Sequence, residues 1–177
     1  DATLAVAGGT GGATGPGRPD PAAAVACRTT LFVSAGPAAG MSPSSDGPTR
    51  VAAVAGSLRE RSYTRSSLAV ALEGVEAAGG TGELLDLRRF DLPPYDADVD
   101  PEAVGDAAAF TERVRAADAI LLGTPVYHGS YSGVVKNAVD YCGFDEFEDT
   151  TVGLLAVAGG SFPVTALEHL RSVCRAL

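Results

Sequence analysis

Short apolar runs alternate four times with segments of helical periodicity in the second part of this 177-residue chain. The apolar runs lie at residues 51–55, 83–87, 119–123 and 151–158. Each has the length of a strand, and each is followed by apolar residues spaced three or four apart, as on one helix face. Such a repeat builds a parallel sheet with right-handed crossovers and helices on both faces. The sequence therefore predicts a doubly wound α/β fold in three layers, αβα.

The helices that follow these runs have recognisable ends. The first is predicted to begin near Tyr63 and to stop at Gly79 and Gly80. The second is predicted to begin at Asp100, an N-cap followed by proline, and to continue to about residue 117. The third follows residues 129–133, and Pro163 opens the last one. We interpret the acidic run 145–149 as a solvated loop, because one-sided charge runs usually face water.

Residues 1–48 differ in composition from the rest, because Ala, Gly, Pro, Ser and Thr dominate them. The glycine-rich run 8–12 resembles a dinucleotide-binding loop, but no amphipathic helix follows it and prolines interrupt the segment. We expect residues 1–48 to be low-complexity and disordered or extraneous, with natural translation starting at Met41, the sole methionine. Residues 49–177 then form the single folded domain.

Charge and composition exclude several functions. The net charge is -9 and Lys136 is the only lysine, so nucleic acid is not expected as a partner. No apolar run approaches the roughly 18 residues of a membrane span, and residues 1–48 lack the charged start and continuous apolar stretch of a secretory signal. The three cysteines form no CxxC pair, and His128 and His169 lie in no metal-binding motif, so neither disulfides nor a metal site are predicted. We expect a cytoplasmic protein.

The loop after the first predicted strand combines features of an anion site. A strand-ending Gly56 is followed by hydroxyl and arginine side chains and then by a helix, whose N-terminus offers unpaired N–H groups. The spacing matches neither GxGxxG nor a Walker loop. Helix capping alone could also explain the hydroxyl groups, but three arginines at 59, 61 and 65 in so acidic a chain favour phosphate. The predicted phosphate-binding residues are Ser57, Arg59, Ser62, Tyr63 and Thr64.

The loops after the third and fourth predicted strands meet the same sheet edge, where ligands bind in open parallel sheets. A rigid proline, two tyrosines and several glycines could line the rim of a flat ring, although a plain turn would also explain the second loop. In the third loop, paired glycines allow close approach of the backbone to a planar ligand. The predicted ring-binding residues are Pro125, Val126, Tyr127, His128, Gly129 and Ser130, together with Gly159, Gly160 and Ser161.

These loops resemble those of the NADPH-dependent FMN reductase family of flavodoxin-like proteins. Its GSxRxxS loop is matched by Gly56, Ser57, Arg59 and Ser62. Its TPEYNGS-type segment and LKNAxD helix start are matched from Thr124 to Ser130 and from Lys136 to Asp140, with Val126 replacing the acidic residue and His128 the asparagine. The resemblance covers about residues 50–177.

The resemblance implies a flavodoxin-like fold holding FMN, which NADPH or NADH reduces and which passes electrons to flavin, quinone or a similar small acceptor. It implies no catalytic side chain, and a homodimer or homotetramer when full length. Because the chain ends on a helix, we expect the last strand of such a sheet to be missing. Two alternatives remain at this stage, an FMN-binding electron carrier without NAD(P)H activity and a flavin-free relic.

Overall fold

The computed structural model describes residues 3–5, 28–34, 47–160 and 163–177. None of the helices in these ranges has the length and apolar character needed to cross a membrane. The strands are β1 (Thr3–Ala5), β2 (Arg28–Ser34), β3 (Arg50–Ala55), β4 (Thr81–Asp86), β5 (Ala119–Pro125) and β6 (Thr151–Ala158). The helices are α1 (Tyr63–Ala77), α2 (Ala107–Arg115), α3 (Gly133–Asp140), α4 (Phe144–Phe147) and α5 (Val164–Cys174).

The sheet has the strand order β1-β2-β6-β5-β3-β4. Strands β4, β3, β5 and β6 are parallel to one another. The chain passes from β3 to β4 on one side and then returns to β5 and β6 on the other side of β3. This reversal places a crevice between the loops that follow β3 and β5. The four predicted parallel strands and the doubly wound arrangement are therefore confirmed.

Apolar side chains alternate between the two faces of the sheet. On one face, Ile120 and Leu122 of β5 pack with residues of α2, α3 and α5. On the other face, Ala53 of β3 packs with Leu68 and Leu72 of α1. Because successive strand residues point to opposite faces, both helical layers are held by the same strands.

Strands β1 and β2 lie within residues 1–48, where the sequence analysis expected no regular structure. Strand β2 pairs antiparallel with β6, from Arg28 opposite Ala158 to Ser34 opposite Val152. Residues 28–34 contain the β-favouring run Thr-Thr-Leu-Phe-Val, which the surrounding Ala, Gly and Pro obscure in the composition. The structure thus differs from the expectation in this stretch, and the antiparallel β2 lies beside β6 at the edge where we expected a strand to be missing.

The predicted second helix is wrong in its extent. Residues Pro101–Ala103 form a short 3-10 helix, and α2 begins only at Ala107. Between them Gly105 has a φ of +46°, and a Cβ there would lie 2.1 Å from the carbonyl oxygen of Asp91. The neighbouring Asp106 N–H donates to that carbonyl over 2.8 Å. A left-handed residue between two hydrogen-bonded segments ends the first turn and starts a separate helix.

The acidic run 145–149 is also not the simple solvated loop predicted. Part of it forms α4, in which Glu146 is only 5% exposed. One carboxylate oxygen of Glu146 accepts from Arg115 and the other accepts the Gly143 N–H over 2.6 Å. The charge run alone does not indicate that Glu146 is buried, because the arginine that pairs with it lies 31 residues earlier, on α2.

Candidate functional site

Three loops meet at the carboxyl edge of the parallel strands. Ala55, the last residue of β3, pairs with Gly123 of β5, and Pro125, the last of β5, pairs with Val157 of β6. The β3–α1, β5–α3 and β6–α5 loops therefore begin side by side. This is the edge at which the sequence analysis placed its candidate residues.

Gly56 starts the β3–α1 loop in a position that only glycine can occupy. Its N–H donates to the Gly123 carbonyl over 2.8 Å. A Cβ at this position would lie 1.8 Å from Cγ2 of Val135 and 2.9 Å from that carbonyl oxygen. The glycine therefore lets the loop leave the sheet directly beneath the start of α3.

The two serines of this loop are buried and shape its backbone. Ser57 is 3% exposed, and its Oγ accepts the Arg59 N–H over 3.4 Å. Ser62 is 4% exposed and is the N-cap of α1, accepting the Arg65 N–H over 3.2 Å. Each hydroxyl keeps its own hydrogen, so capping does not prevent donation to an anion.

The other candidates of this loop differ in exposure. Arg59 and Arg61 are exposed, and within the described part of the chain their side chains form no ion pair. Tyr63 is 59% exposed, whereas Thr64 is 2% exposed and packs toward Gly123 of β5. Arg59 and Tyr63 are thus available to a ligand, while the Thr64 side chain belongs to the packed interior.

The β5–α3 loop contains a two-residue turn. Tyr127 and Ser130 exchange both backbone hydrogen bonds, over 3.0 and 3.1 Å. Between them His128 has a φ of 51° and Gly129 a φ of 81°. Positive φ at both central residues is the type I′ geometry, for which Asn-Gly is the preferred pair. The turn presents an exposed Tyr127 and His128 at the sheet edge.

Neighbouring elements hold this turn in place. Before it, the Val126 N–H donates to the Val157 carbonyl of β6 over 2.8 Å. After it, Ser130 Oγ and His169 Nδ1 of α5 lie 2.9 Å apart in a hydrogen bond. The second loop is therefore attached to both the strand and the helix that flank the third loop.

Ser132 connects the first two loops, and the sequence analysis did not count it among the site residues. Its Oγ donates to the Gly56 carbonyl over 2.7 Å, and its N–H donates to Thr124 Oγ1 over 2.9 Å. It is also the N-cap of α3, accepting the Val135 N–H over 3.3 Å. A serine just before a helical apolar run is the signal that identifies such a cap.

Asn137 has a structural role that explains one matched motif. From α3 its amide donates to the carbonyls of Leu92 and Pro93, over 3.1 and 2.9 Å, and its Oδ1 accepts the Tyr95 N–H over 2.8 Å. The hydroxyl of Tyr141 donates to the same Pro93 carbonyl over 2.8 Å. The Lys-Asn-Ala segment thus fixes the 92–95 loop against α3.

The β6–α5 loop is open where it is described. Gly159 and Gly160 are exposed, and no described atom lies within 4 Å of a Cβ built on Gly160. This open space agrees with a backbone that a flat ligand can approach. Ser161, the third candidate in this loop, lies outside the described residues.

The two described cysteines are not activated nucleophiles. Burial raises the pKa of the Cys142 thiol to about 12 and that of Cys174 to about 11. Both cysteines are free thiols, while Cys27 lies outside the described residues. Within the described ranges, no cluster of three or more His, Cys, Asp or Glu side chains could hold a metal ion.

Comparison with known proteins gives consistent similarities. A family model described as NADPH-dependent FMN reductase matches residues 49–177. An FMN-dependent NADPH-azoreductase of Staphylococcus haemolyticus is 48% identical over 68 residues, which are 38% of this chain and 36% of that protein. That of Staphylococcus aureus is 48% identical over 66 residues, or 37% and 35% of the two chains. The matches thus span about a third of the length of these curated relatives.

Solved structures share the fold. The flavoenzyme NAD(P)H:(acceptor) oxidoreductase FerB from Paracoccus denitrificans has a TM-score of 0.62 at 26% identity, covering 72% of this chain and 71% of its own. The apo form of an NADH:FMN oxidoreductase has a TM-score of 0.59 at 22% identity, covering 72% and 68%. The predicted flavodoxin-like architecture is confirmed by these neighbours.

Proposed function

Because the chain belongs to the NADPH-dependent FMN reductase family, we propose that it binds FMN at the three loops and uses NADPH or NADH to reduce a flavin, quinone or similar small acceptor. The observation that carries this proposal is the exposed Arg59 beside the N-terminus of α1 in a chain with a net charge of -9. The azoreductase and oxidoreductase names of its relatives support the same chemistry.

The phosphate of FMN fits the donor set of the β3–α1 loop. Helix α1 has 15 residues, and its first N–H groups have no intrahelical acceptor. Ser62 takes the Arg65 N–H, which leaves the N–H groups of Tyr63 and Thr64 without an acceptor in the described residues. Together with the Arg59 guanidinium and the Ser57 and Ser62 hydroxyls, these donors suit a phosphate dianion.

The isoalloxazine ring fits between the second and third loops. The type I′ turn 127–130 is fixed at both ends, Gly159 and Gly160 are exposed, and a Cβ built on Gly160 would have no described atom beyond its chain neighbours within 4 Å. We assign ring contacts to Pro125, Val126, Tyr127, His128, Gly129, Ser130, Gly159, Gly160 and Ser161, chiefly through backbone atoms. A rigid rim of backbone N–H and C=O groups orients a ring without needing a catalytic side chain.

Bound FMN would supply the hydride chemistry, accepting from the nicotinamide and donating to the acceptor. The chain's own contribution is placement and electrostatics. Arg59 would neutralise the phosphate, and the backbone N–H groups of His128, Gly129 and the glycine pair would stabilise negative charge on the ring. Tyr127, which is 48% exposed, would line the open side where substrates enter.

Replacing Arg59 with alanine tests the proposal. A charge-assisted hydrogen bond contributes about 1.5 to 3 kcal/mol, so we expect Arg59→Ala to weaken FMN binding by about 10-fold to 100-fold in a fluorescence titration. Arg175→Ala, which removes an exposed arginine after α5, is the control and should bind FMN like the wild type. Unchanged FMN affinity in Arg59→Ala would contradict the phosphate assignment.

The same FMN-loaded protein distinguishes a reductase from an electron carrier. Addition of NADPH with a quinone should give steady oxidation of NADPH, followed by its absorbance. A protein that holds FMN but leaves NADPH unoxidised would be a carrier that takes its electrons from a protein partner.

We propose further that the full-length protein acts as a homodimer or homotetramer in the cytoplasm. Large apolar side chains are exposed on the site loops, with Leu58 at 54%, Tyr63 at 59% and Tyr127 at 48%. Such exposure at a binding edge is typical of surfaces that a second subunit covers. Light scattering of the purified protein tests the assembly, and a purely monomeric mass at micromolar concentration would contradict it.

A further inference from the structure

We propose that Arg65 and Asp86 form a positioning pair that holds the β3–α1 loop in its anion-binding shape, and that Arg65 is not itself a phosphate ligand. This inference rests on the proposed FMN site. Arg65 lies in the first turn of α1, and Asp86 is the last residue of β4, the strand next to β3. Their Nη1 and Oδ2 atoms are 3.0 Å apart.

Asp86 is a fixed anchor for this pair. It is 7% exposed, and its backbone is held in register with Ala55 of β3. Its second carboxylate oxygen accepts the Arg88 N–H over 3.2 Å and so caps the 3-10 helix Leu87–Arg89. The carboxylate is therefore held in position by the sheet and by the turn that follows it.

Arg65 transmits this position to the loop at two points. Its Nη2 donates to the carbonyl oxygen of Glu60, and its backbone N–H donates to Ser62 Oγ. A trans peptide points its carbonyl and the next N–H in opposite directions. The Glu60 carbonyl and the Arg61 N–H belong to one peptide unit. Because that carbonyl points toward the Arg65 side chain, the Arg61 N–H points away from the Arg65 side chain. The pair thus sets the backbone direction immediately after Arg59.

The three arginines of this segment consequently divide into two kinds. The side chains of Arg59 and Arg61 are exposed and form no ion pair within the described ranges, so they are available to an anion. Arg65 is partly buried and is already bonded to a carboxylate and a carbonyl.

Electrostatics alone would make Asp86 unfavourable for phosphate binding, because it adds a negative charge near the loop. If Asp86 positions the loop, its carboxylate instead favours phosphate binding. The two views therefore predict changes of opposite sign in FMN affinity when the charge of Asp86 is removed.

Substitution of Asp86 separates these views. We expect Asp86→Asn to weaken FMN binding by about 10-fold while leaving riboflavin, which lacks the phosphate, bound with unchanged affinity. Glu83→Gln is the matched control, because Glu83 lies on the same strand and pairs with Arg113 over 3.1 Å at an exposed position. If Arg65 were a ligand, Asp86→Asn would free it and FMN would bind equally well or more tightly, which would overturn the proposal. Equal weakening of FMN and riboflavin would also overturn it.

A folding defect in Asp86→Asn could also weaken FMN binding. We therefore add a second variant, Arg65→Lys, and a measurement that needs no flavin. Arg65→Lys retains the charge but cannot reach both Asp86 and the Glu60 carbonyl, so its FMN affinity should fall relative to riboflavin. In the flavin-free full chain, trypsin should cut after Arg59 and Arg61 several times faster in Asp86→Asn than in wild type or Glu83→Gln. Unchanged cleavage would overturn the proposal.

The outcomes also distinguish this inference from the proposed function. If Arg59→Ala weakens FMN binding and Asp86→Asn does not, the positioning role fails and the FMN site stands. If Arg59→Ala has no effect, the phosphate site itself is wrong, while the trypsin result still decides whether the pair orders the loop.

Discussion

His128 is one of the two residues, with Val126, at which the second loop departs from the family pattern that it resembles. It is exposed and has a φ of 51°, in the first central position of the type I′ turn. The family pattern carries asparagine there, and asparagine and glycine are the residues that this turn favours. Histidine tolerates the left-handed region better than most side chains do, which explains how the substitution is accommodated.

Substitutions of His128 should therefore separate backbone strain from side-chain contacts. We expect His128→Asn to leave the free energy of unfolding unchanged or slightly higher. His128→Val should lower it by about 1 to 2 kcal/mol, because a β-branched residue is strained at positive φ. Urea unfolding of both variants measures the difference. Equal stability of the two would show that the turn does not depend on the backbone preference of this residue.

Sequence spacing predicts a candidate site at this sheet edge but does not assign a role to each residue. The hydroxyls of Ser57 and Ser62 were predicted as ligands, and both also shape the loop backbone. Arg65 was counted with Arg59 because they are six residues apart, yet its carboxylate partner lies 21 residues further along the chain. Such pairing depends on strand order, which no local pattern reports.

At the scale of elements, replacing Gly105 or Gly74 with alanine should change the free energy of unfolding in opposite directions. Gly105 separates the 3-10 helix 101–103 from α2 with a φ of +46°, and a Cβ there would meet the Asp91 carbonyl. Gly74 lies inside α1, is exposed, and has open space around its Cβ position. We expect Gly105→Ala to lower the free energy of unfolding by about 1 to 3 kcal/mol and Gly74→Ala to raise it by about 0.5 to 1 kcal/mol.

Chemical denaturation of these two variants forms a matched comparison, because each adds one methyl group to a glycine. A stabilising Gly105→Ala would mean that α2 can extend back to Pro101 as one continuous helix, as the sequence alone predicted. A destabilising Gly74→Ala would mean that the exposed face of α1 is covered by another group.

Elements with local signals were predicted well, and elements that depend on distant partners were not. The four parallel strands, α1, α3 and α5 follow from apolar periodicity and from capping residues such as Ser62 and Pro163. The break at Gly105 depends on Asp91, and α4 depends on Arg115. Strand β2 is defined by its pairing with β6. Each of these partners lies too far along the chain for a periodic pattern to identify it.

For the molecule as a whole, the core beneath α2, α3 and α5 links the loops of the candidate site to the rest of the fold. Val135, which packs against Gly56, and Cys142, which follows α3, belong to the same cluster. The Cys142 thiol lies 3.6 Å from the Ala138 carbonyl, and burial raises its pKa from 9.0 to about 12. At pH 8 the thiolate is therefore negligible in the native state, and modification requires opening of this core.

Labelling of Cys142 should consequently report FMN binding to the whole domain. At an FMN concentration of about 100 times Kd, the population of the opened state falls about 100-fold, and labelling by a thiol reagent at pH 8 should slow by the same factor. Peptide mass mapping separates Cys142 from the other cysteines. Riboflavin at the same multiple of its own Kd should protect equally, because protection depends on occupancy.

Cys174 provides the internal control in the same experiment. It is the last residue of α5 and is only partly buried where it packs against this core, so fraying of the helix end should expose it while the buried cluster stays closed. We expect its labelling to be faster than that of Cys142 and nearly independent of FMN. Equal protection of both thiols would mean that α5 and the core open together. Absence of protection at Cys142 would mean that this part of the core opens without releasing the flavin, and so is not coupled to the proposed FMN site.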